Sequence, residues 1–207
     1  MGLATQHLFL IKKRVLSLNT ALKLMNGRQV SADTILVADH AFLDVRKIIE
    51  ELMLLALCAH DRAGIELSAK MRREWNAERL MRHLERLNSN CFPAAVDIEA
   101  SDEPGIEGII VPSPRSHLTK AEAISIYNYC GSILHASNTP ISPKDLEERF
   151  ERLDEFDEKI RGLLETFEVD ISGAGFMVCG HLLIDDPNAP PLLFGAPSVP
   201  ASSSPAD

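Results

Sequence analysis

Residues 52–59, Leu-Met-Leu-Leu-Ala-Leu-Cys-Ala, form the longest apolar run in the sequence. The run continues an amphipathic pattern that begins at a helix N-cap, either Ser31 or Asp33, and repeats apolar side chains every three or four residues. Because the run is apolar on almost every side, other elements must cover most faces of the helix that carries it. The sequence therefore predicts a central, buried helix that ends near Ala59.

Four further helices are predicted around this central helix. The first has a narrow, regular apolar stripe, so it packs on the protein's own core or, alternatively, on a partner chain. Capping-box or N1-proline signals open the last two. The aromatic content of 5% also favours a core built from leucine over a β-sandwich. The four helices are predicted over residues 4–26, 74–88, 119–136 and 142–166.

Little β-structure is predicted. Residues 106–111 resemble one short strand inside an otherwise irregular stretch, 91–114, and a small hairpin begins after Gly173. The predicted fold is therefore mainly α: a bundle of about five helices around a central buried helix, with a small C-terminal β-hairpin. The predicted domains are a helical bundle over 1–170, a hairpin appendage packed on it over 171–195, and a disordered tail rich in Pro, Ser and Ala over 196–207.

Charge is distributed unevenly along the chain. The net charge is −9, from 30 acidic and 21 basic side chains, and the whole excess lies from Lys144 onward, where 14 acidic residues accompany 5 basic ones. This last third is poorly suited to bind a phosphate backbone. The remainder is balanced, so a basic patch can form there.

One helix face carries such a patch. Arg79, Arg82, His83 and Arg86 fall on the same side of the predicted helix 74–88, and Lys70, Arg72 and Arg73 precede it. This is the predicted nucleic-acid-binding surface, with RNA as the expected partner. The alternative is an ordinary solvated face whose arginines pair with neighbouring glutamates.

Three other residues are candidates for catalysis. Arg46 and Glu50 lie one turn apart beside the buried stripe of the central helix, where they form either a polar pair facing a cleft or a structural ion pair. His135 ends a helix that also contains Gly131, and it is either a general acid or base or a partner of the helix dipole. Together, His135, Glu50 and Arg46 are the predicted catalytic set if the protein is an enzyme.

Several classes of protein are not expected. The four cysteines are too few and too scattered for a disulfide scaffold, and no apolar run is long enough to span a bilayer. Lys12, Lys13 and Arg14 follow the first apolar run, whereas a secretory signal has its charges before it. His40 and Asp44 lack a third ligand, so no metal is predicted. The sequence contains no glycine-rich phosphate loop, so no cofactor is predicted either. We expect a cytoplasmic protein with reduced cysteines and no membrane contact.

The segments 43–50, 75–79, 84–88, 130–135 and 176–184 together resemble a group of uncharacterised bacterial proteins. The chain is also distantly similar to HEPN domains, which are helical bundles found in toxin–antitoxin and phage-defence ribonucleases. Their hallmark is an Arg, four to six residues, and then a His. Upstream of His135 those positions hold Asn128, Tyr129 and Cys130. The resemblance implies a helical bundle and, as one function, a ribonuclease.

These observations lead to two expected functions. The first is a non-catalytic interaction module that binds protein or RNA through helical surfaces, with a second copy of the chain among the candidate partners. The second is a HEPN-like ribonuclease or another hydrolase that uses His135. The first is favoured because the sequence shows no complete catalytic set.

Overall fold

The computed structural model describes residues 2–27, 31–102, 104–106, 108–135, 140–171 and 176–197. Within these residues the chain forms five α-helices and one 3₁₀ turn at Met71–Arg73. The helices are α1 (Leu3–Met25), α2 (Ala32–Arg62), α3 (Ala77–Glu85), α4 (Lys120–Leu134) and α5 (Pro143–Leu164). All five predicted helices are therefore confirmed, although α3 is shorter than its pattern indicated.

Five strands form one antiparallel sheet in the order β2-β1-β3-β4-β5. The part of the chain that the structure describes is an α+β fold, so the predicted mainly α bundle with only one small hairpin is wrong. The strands come from both sides of residue 170, where the bundle was expected to end. They are β1 (Ala94–Ala100), β2 (Gly108–Pro112), β3 (Thr166–Ile171), β4 (Phe176–His181) and β5 (Leu192–Pro197).

The sequence analysis missed β1 and β3, each for a physical reason. β1 lies in a stretch whose prolines and glycines are typical of loops, and its outer half is exposed, so no buried alternation marks it. β3 follows α5 at once, and Phe167 fits the helical stripe of α5 as well as it fits a strand. Phe167, Val169 and Ile171 are buried and alternate with Glu168 and Asp170, which is the period of a strand.

α2 is the centre of the fold, as the apolar run predicted. It contacts all four other helices as well as β3. Along its buried stripe Ile49, Leu52 and Leu55 have no exposed surface. Ser31 forms a capping box with Thr34 at its start, and this satisfies amide groups that the first turn would otherwise leave without partners.

α1 packs antiparallel against α2, with its apolar stripe turned inward. Leu8, Ile11, Val15 and Leu18 are fully buried in the core of this one chain. Of the two interpretations of its stripe, packing on the protein's own core is therefore the observed one.

β4 and β5 form the predicted C-terminal hairpin. α1 holds the loop between them through the buried side chain of Lys12. The Lys12 Nζ donates hydrogen bonds to the backbone carbonyls of Leu183, Asp186 and Ala189, at 2.7, 2.6 and 2.8 Å. β5 continues to Pro197, which is inside the predicted tail, and the rest of that tail, 198–207, lies outside the described residues.

Across the ranges given above, none of the helices combines the length and the apolar character needed to cross a lipid bilayer.

Candidate functional site

The basic face predicted on residues 74–88 is present on α3. Ala77, Leu80, Met81 and Leu84 turn inward and are buried, so the opposite side of this short helix faces solvent. Asn76 caps the helix, since its Oδ1 accepts a hydrogen bond from the Arg79 amide at 3.0 Å. The burial of one side and the cap at the start together fix which side chains point outward.

The structure brings the four predicted nucleic-acid-binding residues to one place. They line a shallow concavity of about 200 Å³ together with Lys70 and Glu74, which come from the connection between α2 and α3. We call this surface the basic concavity; its lining residues are Lys70, Glu74, Arg79, Arg82, His83 and Arg86.

Most of the positive charge at the basic concavity is available to a ligand. Arg82 pairs with Glu78 at 3.1 Å, whereas Lys70, Arg79 and Arg86 make no ion pair with any side chain that the structure describes. The segment 70–86 contains six Lys and Arg against three Glu, in a protein whose net charge is −9. An anion would therefore find here a local excess of positive charge in a protein that is acidic as a whole.

Glu74 is the acidic member of the concavity, and the backbone holds its carboxylate in place. Its Oε1 accepts hydrogen bonds from the amides of Trp75 and Asn76, at 3.2 and 3.1 Å. These bonds fix the turn that leads into α3. The position of Glu74 at the rim is thus explained by its structural role.

Trp75 was not among the predicted site residues, although it follows Glu74, which lines the concavity, directly in sequence. It is the single Trp of the sequence, and 64% of its surface is exposed. A large aromatic side chain in such a position offers a face on which a base can stack. The signal in the sequence was a lone Trp between polar residues in a basic segment.

The predicted catalytic pair lies in a buried cluster that touches the start of α3 through Asn76. Glu50 is 5% exposed, and its carboxylate lies 3.5 Å from Arg46 Nε and 2.6 Å from Lys47 Nζ. The Tyr127 hydroxyl donates to Glu50 Oε1 at 3.2 Å and accepts from Arg46 Nη2 at 2.7 Å and from Asn76 Nδ2 at 3.3 Å. Every polar group of this cluster is therefore engaged with a neighbour.

The chemistry of this cluster suits a structural role. Burial raises the pKa of Tyr127, so its hydroxyl keeps its proton and donates to the Glu50 carboxylate. The Arg46 guanidinium also stacks on the Tyr127 ring, 4.0 Å from its centroid. A Cβ at Gly131 would lie 2.5 Å from Arg46 Nη1, so the glycine leaves room for this stacked side chain. The ion pair of α2 is joined here to α4 through Tyr127.

His135 stands apart from this pair. It is the exposed C-cap residue of α4, eight residues beyond Tyr127, which corresponds to about 12 Å along a helix axis. It makes no hydrogen bond or ion pair with the described residues. The structure thus brings Arg46 and Glu50 together, joins them to Tyr127, and does not connect His135 to them.

His40 and Asp44 have the arrangement that a helix produces at this spacing, with His40 Nε2 lying 3.6 Å from Asp44 Oδ2. The second partner of Asp44 is Arg14, at 2.9 Å, and a cation from α1 therefore already occupies this carboxylate.

Comparison of the chain with models of protein families, with curated proteins and with solved structures gave no significant match. The resemblance to the bacterial group and to HEPN domains therefore stays a prediction.

Proposed function

We propose that the protein is a non-catalytic binding module that holds single-stranded RNA at the basic concavity. The observation that carries this proposal is the convergence of Arg79, Arg82, His83 and Arg86 with Lys70 on one shallow surface. Arginine and lysine side chains neutralise phosphates, and they contact any sequence alike. Binding at this surface is therefore expected to be weakly sequence-specific.

Trp75 supports single-stranded RNA over a duplex. A base can stack on an aromatic face only when it is not already stacked in a helix of its own. The exposed Trp75 is adjacent in sequence to Glu74, which lines the concavity. The combination of a cationic surface and a neighbouring aromatic platform is typical of proteins that bind single strands.

The test is a titration of the full chain with a 12-nucleotide single-stranded RNA, in which the fluorescence of Trp75 reports binding. We expect quenching on binding, and an affinity that falls with salt with a slope of about −2 to −3 in log K against log salt, as three or four neutralised phosphates require. The triple variant Arg79→Glu, Arg82→Glu, Arg86→Glu should lose binding.

A matched control has the same change in net charge at another place. Lys23→Glu, Lys144→Glu and Arg152→Glu change three exposed cations that do not line the basic concavity. This control should bind RNA with nearly the affinity of the unmodified protein. Equal losses in both triple variants, or no binding by the unmodified protein, would show the proposal to be wrong.

The alternative enzyme, a HEPN-like ribonuclease or other hydrolase, is tested with the same RNA. It would use His135 alone of the predicted catalytic set, because Glu50 and Arg46 are engaged with Tyr127 in the buried cluster. Cleavage of the end-labelled strand that disappears in His135→Ala would establish this activity. Intact RNA after prolonged incubation would leave binding as the function.

A protein partner, including a second copy of the chain, is the other form of the proposed module. It is supported by the hairpin of β1 and β2, on one face of which Ile98 is 57% exposed and lies opposite the partly exposed Ile110. Light scattering during size-exclusion chromatography tests for a dimer. A dimer that Ile98→Lys converts to a monomer would place the interface at this hairpin.

A cytoplasmic location is part of the same proposal. All four cysteines are free thiols, which suits a reducing compartment.

A further inference from the structure

The last turns of α1 and the first part of α5 form the two sides of an open groove of about 900 Å³. The groove shares no lining residue with the basic concavity. Its volume falls within the range of about 300–1,000 Å³ that is usual for small-molecule sites. We call it the α1–α5 groove; among its lining residues are Leu22, Lys23, Glu147, Phe150, Asp154 and Asp157.

Apolar side chains from both helices line part of the α1–α5 groove. Leu22 and Phe150 are partly exposed there, and the nearly buried side chains of Met25 and Leu146 line it as well. A hydrocarbon chain that lies on these side chains removes apolar surface from water. The groove therefore favours a ligand with an aliphatic body.

Two unpaired carboxylates stand on the α5 side of the groove. Glu147 and Asp154 are exposed, and neither makes an ion pair or a hydrogen bond with the residues that the structure describes. They are seven residues apart, which is two turns, so both lie on the same side of α5, about 10.5 Å apart along its axis. Phe150 lies between them on that side, so an apolar surface separates the two negative charges.

Asp157 adds a third carboxylate one turn further along α5. Its Oδ2 accepts a hydrogen bond from Arg161 Nε at 2.6 Å, whereas Oδ1 has no partner among the described residues. Burial raises the pKa of Asp157, Arg161 lowers it, and the negative charge of Asp154 raises it again. A cation bound at Asp154 would relieve the repulsion between these two carboxylates.

Lys23 is the one cation among the residues that line the groove. It belongs to α1, on the side opposite the carboxylates, and it makes no ion pair with any side chain in the described ranges. Three carboxylates against one ammonium group give the groove a net negative charge. This charge favours a positively charged ligand.

We propose that the α1–α5 groove binds a linear aliphatic diamine or polyamine. One terminal ammonium group pairs with Glu147 and the other with Asp154, while the methylene chain between them lies on Phe150. The span between the end groups has to match two helical turns, so a chain as long as spermidine fits and the shorter putrescine does not. A metal ion fits poorly, because its oxygen ligands have to converge within about 2.0–2.6 Å of one point.

The experiment is isothermal titration calorimetry of the full chain with three amines, at an ionic strength of about 0.15 M so that distant charges are screened. α,ω-Diaminooctane is as long as spermidine but lacks its third nitrogen, and it should bind. Octylamine has one charge and putrescine is too short, so each loses one ion pair and should bind at least about threefold more weakly. Equal affinity for either of these two, or no binding of α,ω-diaminooctane, would overturn the proposal.

Variants of exposed side chains locate the binding site. The double variant Glu147→Gln, Asp154→Asn should bind α,ω-diaminooctane at least about tenfold more weakly, because it removes both ion pairs. The matched control is Glu151→Gln, Glu158→Gln, which changes two exposed carboxylates that are also seven residues apart on α5 but do not line the groove. It should bind within about twofold of the unmodified protein. Equal losses in the two double variants would mean that the amine binds to α5 by charge alone and not in the groove.

Lys23→Gln tests the charge of the ligand. Removal of a like charge should leave the affinity for α,ω-diaminooctane unchanged or raise it. A weaker affinity in this variant would mean that Lys23 contacts the ligand, which contradicts a purely cationic ligand and overturns the proposal.

Discussion

Lys12 has a buried ammonium group whose three N–H donors are all used. The side chain is 1% exposed, and it binds three backbone carbonyls of the loop between β4 and β5. Burial lowers the pKa of Lys12, while the nearby Asp186 raises it. The three carbonyl partners compensate for the loss of hydration that burial of a charge requires.

We expect Lys12→Met to destabilise the protein by about 2–4 kcal/mol, because three backbone carbonyls that face the buried ammonium group lose a charged donor at once. Urea unfolding followed by circular dichroism measures the change. The control is Lys13→Met at the neighbouring exposed position, which should change stability by less than about 0.5 kcal/mol. Equal effects of the two variants would mean that the carbonyl contacts contribute nothing.

Tyr127 links α4 to α2 through its hydroxyl group. Tyr127→Phe should cost about 1–3 kcal/mol, since Glu50 then loses a buried donor. Tyr129→Phe is the control, because the Tyr129 ring packs edge-on between Phe42 and Phe156 and its hydroxyl makes no hydrogen bond with the described residues. RNA affinity should be unchanged in both variants. A loss of RNA binding in a folded Tyr127→Phe protein would mean that the cluster affects the basic concavity through Asn76, which bonds both Tyr127 and the Arg79 amide.

At the scale of elements, a close approach between α5 and the segment before α4 depends on a glycine. A Cβ at Gly162 would overlap the backbone carbonyl oxygen of Ser116, which belongs to a segment that cannot move as freely as a side chain. At Gly131 the obstacle is only the end of the Arg46 side chain. The same substitution therefore meets rigid backbone at one site and a flexible group at the other.

Gly162→Ala should consequently destabilise the protein by about 1–3 kcal/mol, in spite of the higher helix propensity of alanine. Gly131→Ala should cost clearly less, because Arg46 can shift. Thermal unfolding of the two variants shows directly which substitution lowers stability more. The reverse order would mean that the segment around Ser116 adapts more easily than the stacked guanidinium.

The helices could be predicted from the sequence because each has an apolar stripe, and three of them also have a start signal. The N-cap at Ser31, the capping box at Thr119 and the proline at the start of the helix after Ser142 are all present. The sheet could not be predicted as a whole, because β1 has an exposed half and because Phe167 fits two periods. Pairing of β1 with β3, where Ala95 lies opposite Phe167, is a contact across more than 70 residues that local patterns do not encode.

The candidate sites show the same difference between local spacing, which the sequence predicts, and contacts between distant segments, which it does not. The arginines of α3 share a face by helical spacing alone, so the sequence places them correctly. Lys70 and Glu74 join them only through the turn before α3, and His7 meets Glu51 only through the register of α1 on α2. Contacts that depend on the packing of two elements could therefore not be predicted from the sequence.

At the scale of the whole molecule, stability should depend on pH through His7. Its pKa is raised from 6.5 to about 9 in the folded protein by Cys58 and Glu51. A raised pKa means that the folded state binds the proton more tightly, so the contribution is fully present below about pH 6.5 and is lost as the pH rises to about 9.

The measurement is the free energy of unfolding of the unmodified protein minus that of His7→Gln, with Cys58 kept reduced. We expect this difference to be about 1–3 kcal/mol larger at pH 6 than at pH 10. Subtraction of the variant removes the contribution of every other titrating group. A difference that does not change between these pH values would show that Glu51 and Cys58 do not hold the proton on His7.

The contact between Lys12 and residues 183–189 also bears on how the chain folds during synthesis. The two partners are separated by more than 170 positions, so α1 and α2 leave the ribosome long before the acceptor carbonyls exist. Until then, docking of α1 in its final place would bury an ammonium group without acceptors. A nascent chain that stops short of this loop should therefore keep its first helix loosely attached, exposing apolar surface to chaperones and proteases that remove incomplete products.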